Sequence, residues 1–368
     1  MRGFSRVFLT TILSLLLVLT FIAVGCAPAA PASVPKPEPT PPGMINSALG
    51  PISPDKLGWT LVHEHLQSAY TGWYADASIA PYDREAALQA CLKACEAAKA
   101  VGIQTIIDAT ANDMGGRDPL LYKELSEKTG INIIFATGLY TEAEGAPAYW
   151  RMRVSFGADI SKMISEMMIK EITEGVGTTG IKAGVIKVAS SPEMTEYEKA
   201  VHKAAVIAQK ATGVPIITHT QGPTGGVEQA DFLLSQGADP KKVMIGHVNN
   251  SKDVNYQRSI LKKGVNIAFD RFGIAVLLFG VPDSVSVQNI ATLCKEGYAN
   301  KIILSHDTMN FWMGRPIEVP EAYMKLLADW RVDYVSKDII PALKAKGVTD
   351  DQINTMMVEN PKNLFLGK

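Results

Sequence analysis

Eight short β-rich segments alternate with helical segments along most of this chain, and this alternation limits the folds open to it. It is the pattern expected of parallel strands joined by crossover helices. Several segments are nearly continuous aliphatic runs, as strands buried on both faces require. The predicted strands are residues 60–65, 104–109, 132–137, 182–188, 214–219, 243–247, 265–270 and 301–307.

The segments between these strands are rich in Ala, Leu, Lys and Glu at amphipathic spacing, which predicts helices. Residues 323–346 and 350–358 predict further helices after the last strand. Eight strand–helix units favour a (β/α)8 TIM barrel with an extra C-terminal helix. An open doubly wound sheet is the alternative, but no Gly-x-Gly-x-x-Gly turn follows the first strand. The helices expected between strands are residues 84–100, 159–174, 196–212, 227–236, 255–263 and 285–296.

The N-terminal segment predicts export rather than a part of the fold. Arg2 and Arg6 precede an unbroken apolar run over residues 7–25, which is typical of a signal peptide. Ala23-Val24-Gly25-Cys26 resembles a bacterial lipoprotein cleavage box, in which Cys26 would be lipidated and become the mature N-terminus. An uncleaved signal anchor is the alternative, because the run is long enough to cross a bilayer.

Residues 27–43 are rich in Pro and Ala, a composition that predicts an extended, solvated tether. We therefore expect three regions: a lipoprotein-type signal peptide over residues 1–26, the tether over 27–43, and one folded domain over 44–368. The predicted location is the outer side of a bacterial cytoplasmic membrane or the periplasm. The chain carries 36 basic and 37 acidic residues, and this balance favours neither nucleic acid nor an anionic membrane surface as a partner.

Polar residues stand at the carboxyl ends of five predicted strands, the place where barrel enzymes keep their active sites. Side chains alternate faces along a strand, so His63 and His65 should point one way and Glu64 the other. His306 should likewise point away from Asp307, and neither Glu64 nor His306 is assigned any chemistry. The candidate site residues are His63, His65, Lys187, His219, His247 and Asp307.

Lys187 closes an apolar strand, and a lysine is rarely buried without a partner. A salt bridge, to Asp307 for instance, is one interpretation. Beside two divalent ions, however, the ammonium would be repelled and its pKa would fall. The neutral amine can react with CO₂, and the two oxygens of the resulting carbamate could bridge two metals about 3.5–4 Å apart.

This set of residues resembles the amidohydrolase superfamily, and most closely its phosphotriesterase family. The resemblance implies two divalent metal ions. His63, His65 and Asp307 would bind the more buried ion, and His219 and His247 the more exposed one. A carboxylated Lys187 would bridge them together with a hydroxide. Zn is expected first, with Co, Mn or Fe also suited to these ligands. The segments that carry the resemblance are residues 50–52, 57–65, 180–187, 218–220, 245–247 and 305–307.

The resemblance also implies a hydrolytic mechanism in which Lys187 and Asp307 take part. Two metal ions can lower the pKa of a bridging water to about 7 or below, which supplies a nucleophile at neutral pH. The exposed metal would polarise the carbonyl or phosphoryl oxygen of the substrate. Asp307 would then take the proton of the hydroxide.

Two further residues resemble those of phosphotriesterase-like lactonases within this family. Tyr140 and Arg271 stand where these lactonases have a Tyr beside the metals and an Arg that steadies the pocket loop. A capped core tyrosine and an arginine paired with a carboxylate are the alternative interpretations. The apolar residues 275–281 and 308–316 could cover an acyl chain or form a dimer interface, and the resemblance implies a homodimer.

The leading hypothesis is a binuclear metal-dependent hydrolase that opens lactones, with acyl-homoserine lactones as candidates, or related esters. Promiscuous organophosphate triesterase activity would come from the same site. The first alternative is a dedicated aryldialkylphosphatase or a cyclic-amide hydrolase of the same superfamily. A lipid-anchored binding protein without turnover is the second alternative. The presence of Asp307 argues against it, because barrels that lose activity usually lose this carboxylate.

Overall fold

The computed structural model describes residues 40–79 and 81–368. The predicted signal peptide over residues 1–26, with Cys26, and residues 27–39 of the predicted tether lie outside the described residues. Within the described ranges, we find no helix with both the length and the apolar character needed to cross a membrane. The division into signal peptide, tether and folded domain stays a prediction.

Eight parallel strands form the central sheet, and each pairs with the next strand along the chain. A short antiparallel hairpin, which the sequence pattern did not predict, precedes them as β1 (Ile45–Ser47) and β2 (Gly50–Ile52). The eight strands are β3 (Trp59–Glu64), β4 (Ile103–Asp108), β5 (Asn132–Leu139), β6 (Val185–Ser190), β7 (Ile216–Thr220), β8 (Val243–Ile245), β9 (Asn266–Phe269) and β10 (Ile302–Leu304).

Helices follow the strands, and most of them pack on the outer face of the sheet, whereas the short helix Glu321–Met324 has no buried residue. They are α1 (Arg84–Ala100), α2 (Pro119–Thr129), α3 (Pro147–Ser155), α4 (Ile160–Thr173), α5 (Glu196–Thr212), α6 (Gly226–Ser235), α7 (Val254–Leu261), α8 (Ala275–Phe279), α9 (Asp283–Lys295), α10 (Glu321–Met324), α11 (Ile340–Ala345), α12 (Asp350–Asn354) and α13 (Asn360–Leu366). Helical turns of π type cover Val335–Ile339 and Thr355–Glu359. Short 3₁₀ helices cover Pro54–Lys56, Trp73–Ala75, Pro240–Lys242, Val248–Asn250 and Ala299–Lys301.

Two apolar layers, one on each face of the sheet, form the core. Neighbouring strand residues divide between them, because side chains alternate along a strand. Leu61 and Ile106 pack outward against the helices, whereas Val62 and Ile107 point into the barrel. The inner layer also contains Ile134, Val185, Ile217, Met244, Ala268 and Ile303, all fully buried.

The barrel closes between β3 and β10 through hydrogen bonds just beyond the regular strand pairing. The amide of Asp307 donates to the carbonyl of His63 at 2.9 Å, and the amide of His65 donates to that of Thr308 at 2.7 Å. The amide of Asn310 in turn donates to the carbonyl of His65 at 3.0 Å. The ends of β3 and β10, which carry three predicted metal ligands, are therefore hydrogen-bonded directly to each other.

The predicted TIM barrel and its eight strands are confirmed, but the prediction of one helix over residues 323–346 is wrong. Helix α10 ends at Met324, turns follow over residues 325–329, and a π-type helix covers Val335–Ile339. The segment between them packs against the loop after β9, where a Cβ on Gly273 would lie 2.4 Å from the carbonyl oxygen of Asp329. The indole of Trp330 donates to the carbonyl of His306 at 3.1 Å. These contacts between distant parts of the chain replace the helix.

Candidate metal centre

The six predicted metal ligands meet at the carboxyl ends of the barrel strands, and all are buried. His63 lies in β3, Lys187 in β6 and His219 in β7. The others lie one to three positions after the last residue of their strands. The residues that follow strands β3, β8 and β10 in this way are His65, His247 and Asp307.

Asp307 lies at the centre of the cluster. Its Oδ1 atom is 3.4 Å from Nε2 of His63 and 3.2 Å from Nε2 of His65. The ligand atoms of these three residues lie within 4.8 Å of one another, so they could hold one metal ion. This is the group that the sequence predicts for the more buried metal.

The second predicted pair lies on the other side of the Asp307 carboxylate. Nδ1 of His219 is 2.9 Å from Nε2 of His247, and that Nε2 atom is 3.6 Å from Oδ2 of Asp307. Nζ of Lys187 lies 2.6 Å from Nε2 of His63, on the ring edge that also faces Asp307. The structure therefore brings all six residues together in two connected groups.

Asp270 contacts two of the histidines on the ring edge opposite to Asp307, and sequence reasoning missed this role. Its carboxylate accepts hydrogen bonds from Nδ1 of His63 at 2.8 Å and from Nδ1 of His247 at 3.0 Å. The opposite nitrogen, Nε2, of each ring faces Asp307. Asp270, His63 and His247 also form a group with metal-binding spacing. Because Asp270 takes the Nδ1 atoms, we interpret it as the residue that orients the rings and fixes their tautomers.

The remaining histidine ligands have similar supporting partners. Nδ1 of His65 lies 2.7 Å from the hydroxyl of Thr110, and Nε2 of His219 lies 2.5 Å from Oε1 of Gln221. Both partners stand just beyond a barrel strand, and this position at a strand end was the only signal that the sequence offered for them. Each supporting bond restricts its imidazole to one orientation.

Two predicted ligands have a left-handed backbone conformation. His247 and Asp307 each have φ of 59°, and they are the only non-glycine residues with positive φ in the part of the chain that the structure describes. Such a conformation costs about 1–3 kcal/mol and persists only where the surrounding structure enforces it. At His247, the backbone amide donates to Oδ1 of Asp270 at 2.6 Å. Both strained residues are therefore predicted metal ligands at strand ends.

Burial sets the charge of the site. It lowers the pKa of His247 to about 3, so this imidazole is neutral and can act as a ligand near pH 7. Burial also lowers the pKa of Lys187 to about 8, although the carboxylates of Asp307 and Asp270 oppose this change. Burial opposes ionisation of Asp307, yet the adjacent histidines and Arg271 hold its pKa well below the usual value. Neutral imidazoles around an ionised carboxylate are a donor set that suits divalent metal ions.

Tyr140 and Arg271 both reach the cluster. The hydroxyl of Tyr140 lies 3.1 Å from Nδ1 of His219, and its backbone amide donates to Asp113 at 2.9 Å. Arg271 does not pair with the adjacent Asp270. Instead its Nε atom donates to Oδ2 of Asp307 at 3.0 Å. Both side chains therefore contact residues of the predicted metal centre.

The two apolar segments predicted near the site differ in their exposure. In α8, the ring of Phe279 lies 5.6 Å from the guanidinium carbon of Arg271, while Leu278 is 48 % exposed. After β10, Met313 is buried, and the ring of Trp312 lies 5.6 Å from that of Tyr70. The segment after β9 therefore reaches a site residue and also presents an apolar surface outward.

Comparison with known proteins gives a consistent result. The model of the phosphotriesterase family matches residues 43–365 of this chain. An organophosphorus hydrolase from Deinococcus radiodurans is 43% identical, with a TM-score of 0.85, over 91% of this chain and 100% of that one. A mutant of a PTE-like lactonase from the same organism is 44% identical, with a TM-score of 0.85, over 87% of this chain and 99% of that one. An aryldialkylphosphatase from Saccharolobus solfataricus is 33% identical over 85% of this chain and 96% of that protein.

Proposed function

This chain belongs to the phosphotriesterase family, and from that membership we propose that it is a metal-dependent hydrolase whose preferred substrates are lactones or related esters. Family membership supports divalent metal binding, hydrolysis of ester bonds and small-molecule substrates, and the donor set fits the metal requirement. The preference for lactones, the number and identity of the metals and the role of each residue are parts of the proposal.

The metal ligands follow from the two groups around Asp307. His63, His65 and Asp307 would hold one divalent ion, and His219 and His247 a second, with zinc as the first candidate for both. When bound, the two ions would activate a water molecule for attack and polarise the oxygen of the scissile group.

Lys187 would join the two groups as a carbamate. Its amine would attack the carbon of CO₂, and one proton would leave as the N–C bond forms. The position of Nζ, 2.6 Å from a ligand nitrogen of His63, supports this role. An ammonium there would repel a bound cation, whereas a carbamate would place negative charge and two oxygen ligands beside it.

The remaining steps belong to side chains of this protein. Asp307 would accept the proton of the attacking water, while Arg271 would hold the Asp307 carboxylate in position through the bond from Nε. Attack at the lactone carbonyl carbon, followed by cleavage of the ring C–O bond, would release an alkoxide, which would take up the proton that Asp307 had accepted. Tyr140, beside His219, would donate a hydrogen bond to the lactone.

The observation that carries the preference for lactones is the contact between the hydroxyl of Tyr140 and His219. It supports this preference, because the hydroxyl could donate a hydrogen bond to a cyclic ester bound beside His219. The likeness to the PTE-like lactonase mutant supports the same preference. A dedicated phosphotriesterase is the second candidate, and the aryldialkylphosphatase relative supports it. Both reactions would use the same activated water, so we propose promiscuous triesterase activity in either case.

Two proposals concern the setting of the enzyme. The N-terminal sequence supports export and anchoring through a lipidated Cys26 or an uncleaved signal segment. The exposed side of α8 supports a homodimer. The hypothesis of a binding protein without turnover loses its support, because the chain belongs to a family of hydrolases and its ligands meet in one cluster.

A substrate panel tests the proposed preference. The full chain, loaded with zinc or cobalt in the presence of bicarbonate, should be assayed with an acyl-homoserine lactone, a γ-lactone, a δ-lactone and paraoxon. We expect kcat/KM for at least one lactone to exceed that for paraoxon. A value for paraoxon far above that for every lactone would favour the dedicated phosphotriesterase.

A further inference from the structure

Glu64 is a fully buried carboxylate between two residues of the metal centre, yet it faces away from the metal ligands. Its Oε1 atom accepts hydrogen bonds from the hydroxyl of Ser305 at 2.8 Å, from the amide of His306 at 3.0 Å and from Nδ1 of His306 at 2.8 Å. Its Oε2 atom accepts from the amide of Thr308 at 2.8 Å and from the Thr308 hydroxyl. One side chain thus accepts five hydrogen bonds from the segment around Asp307.

These bonds lie on both sides of the left-handed residue in that segment. Ser305 and His306 precede Asp307, and Thr308 follows it, so the backbone is fixed before and after the residue with positive φ. The same contact reaches the first strand, because the Ser305 hydroxyl also accepts from the amide of His63 at 3.1 Å. Glu64 therefore connects the backbone positions of two ligands of one proposed metal.

The partners of Glu64 are themselves held from the C-terminal side of the chain. Nε2 of His306 accepts from the amide of Val335 at 2.9 Å, while the His306 carbonyl accepts from the indole of Trp330. The imidazole of His306 thus links Glu64 to the segment that replaces the predicted long helix. The strand end that carries Asp307 is therefore held by Glu64 and, through His306, by this segment as well.

The second strained ligand has a comparable partner. The amide and Nδ1 of His247 both donate to Asp270, a buried carboxylate at the end of the next strand. Each ligand with a left-handed backbone thus has one buried carboxylate that accepts bonds from its own or its neighbours' amides. Asp270, the partner of His247, also accepts a hydrogen bond from the ring of His63. Glu64, the partner of the Asp307 segment, makes none of its bonds to the side chain of a proposed metal ligand.

We propose that Glu64 is a positioning residue for the metal centre, which holds Asp307 in its left-handed conformation and thereby sets the affinity of the His63–His65–Asp307 group for its metal. This inference rests on the proposed binuclear function. Glutamine fits the same space but can accept at only one of its two terminal atoms. Its NH₂ group would face the donors of Ser305 and His306 or those of Thr308, so bonds on one side of Asp307 would be lost.

Cobalt binding to the full chain tests this role with a readout other than turnover. The metal-free protein should be titrated with Co²⁺, with the visible absorption of the bound ion recorded at each step. For Glu64→Gln we expect the affinity for one of two Co²⁺ ions to fall about 10–100-fold, with a changed spectrum, because residues that orient ligands have effects of this size.

Glu198→Gln is the matched control. Glu198 is also fully buried, and its carboxylate accepts from the amides of Ser191, Thr195 and Glu142 and from the Ser191 hydroxyl. It makes none of these bonds to residues adjacent to Asp307. Glu198→Gln should lower thermal stability and leave both Co²⁺ affinities as in the wild type, which separates positioning from a general loss of stability.

Thr308→Val is a second variant in case Glu64→Gln fails to fold. It removes only the hydroxyl that donates to Glu64. We expect the affinity for one of the two Co²⁺ ions to fall about threefold or more. Wild-type affinities and spectrum in a folded Glu64→Gln protein, or in Thr308→Val if only that variant folds, would overturn the inference while the binuclear function stands. A wild-type chain that binds no Co²⁺ would contradict the proposed function and this inference with it.

Discussion

The carboxylate of Asp270 accepts a hydrogen bond from the backbone amide of His247 at 2.6 Å and another from Nδ1 of the same residue at 3.0 Å. One side chain thus fixes both the strained backbone and the ring orientation of a predicted metal ligand. It also accepts from Nδ1 of His63, at 2.8 Å, so it orients predicted ligands from both groups. The geometry of the predicted centre therefore depends on this residue as well as on the predicted ligands.

Asp270→Asn should therefore weaken metal binding while leaving every predicted ligand in place. An asparagine offers one acceptor in place of two, so one of the two histidine rings would lose its orienting bond. We expect zinc affinity to fall about 10–100-fold, measured by competition with a chelating dye. Asp253→Asn is a suitable control, because Asp253 caps α7 at its N-terminus and should have no effect on the metal. Equal affinities in the two variants would contradict an orienting role.

Lys187→Ala should abolish binding of the second metal and with it nearly all turnover. The change removes the side chain expected to bridge the two metal groups, and it leaves a buried space beside His63. Metal content per chain and kcat/KM for a lactone are the measurements. A variant with full activity would exclude a bridging role for this lysine.

Tyr140→Phe should reduce lactone hydrolysis without loss of metal. The substitution removes only the hydroxyl beside His219, and the loss of one such donor costs on the order of 100-fold in rate. We expect kcat/KM for lactones to fall by about this factor and that for paraoxon to fall less, with metal content unchanged. An equal decrease for both substrates would mean that the hydroxyl acts on the metal centre rather than on the lactone.

His202 makes the stability of the protein depend on pH. It is fully buried in α5, its Nδ1 atom donates to the carbonyl of Glu198 at 2.8 Å, and burial lowers its pKa to about 4. The unfolded chain, with a histidine pKa of about 6.5, then binds more protons between pH 4 and 6.5. Stability from the neutral imidazole is present above pH 6.5 and is lost as the pH falls toward 4, by about 3 kcal/mol in total.

Urea unfolding of the wild type and of His202→Gln at several pH values measures this effect. The glutamine can still donate to the Glu198 carbonyl but does not titrate. The free energy of unfolding of the wild type should fall relative to that of the variant between pH 6.5 and 4. A constant difference between the two proteins over this range would show that His202 is not the responsible group.

Much of this architecture follows from local sequence. The aliphatic runs predict all eight strands because both faces of each strand are buried, and the polar residues at their ends predict a common site because a barrel brings these ends together. His63 and His65 were predicted to share a face, and both face Asp307 in the structure.

The support around the ligands could not be predicted in the same way. Glu64 contacts Thr308, more than 200 positions away in the chain, and no local pattern indicates which distant amides a buried carboxylate will meet. Asp270 differs from any other strand-end aspartate only by its partners. The interruption of the predicted helix over residues 323–346 also depends on a distant contact, that of Trp330 with His306.

Metal content per chain, combined with lactone turnover on the same preparation, tests the central claim most directly. The full chain should be purified, stripped with a chelator, reloaded with zinc or cobalt in the presence of bicarbonate, and analysed for metal by mass spectrometry. We predict two ions per chain, with turnover that disappears on stripping and returns on reloading. Turnover that persists in the stripped protein, or a reloaded chain that holds no metal, would contradict a binuclear hydrolase.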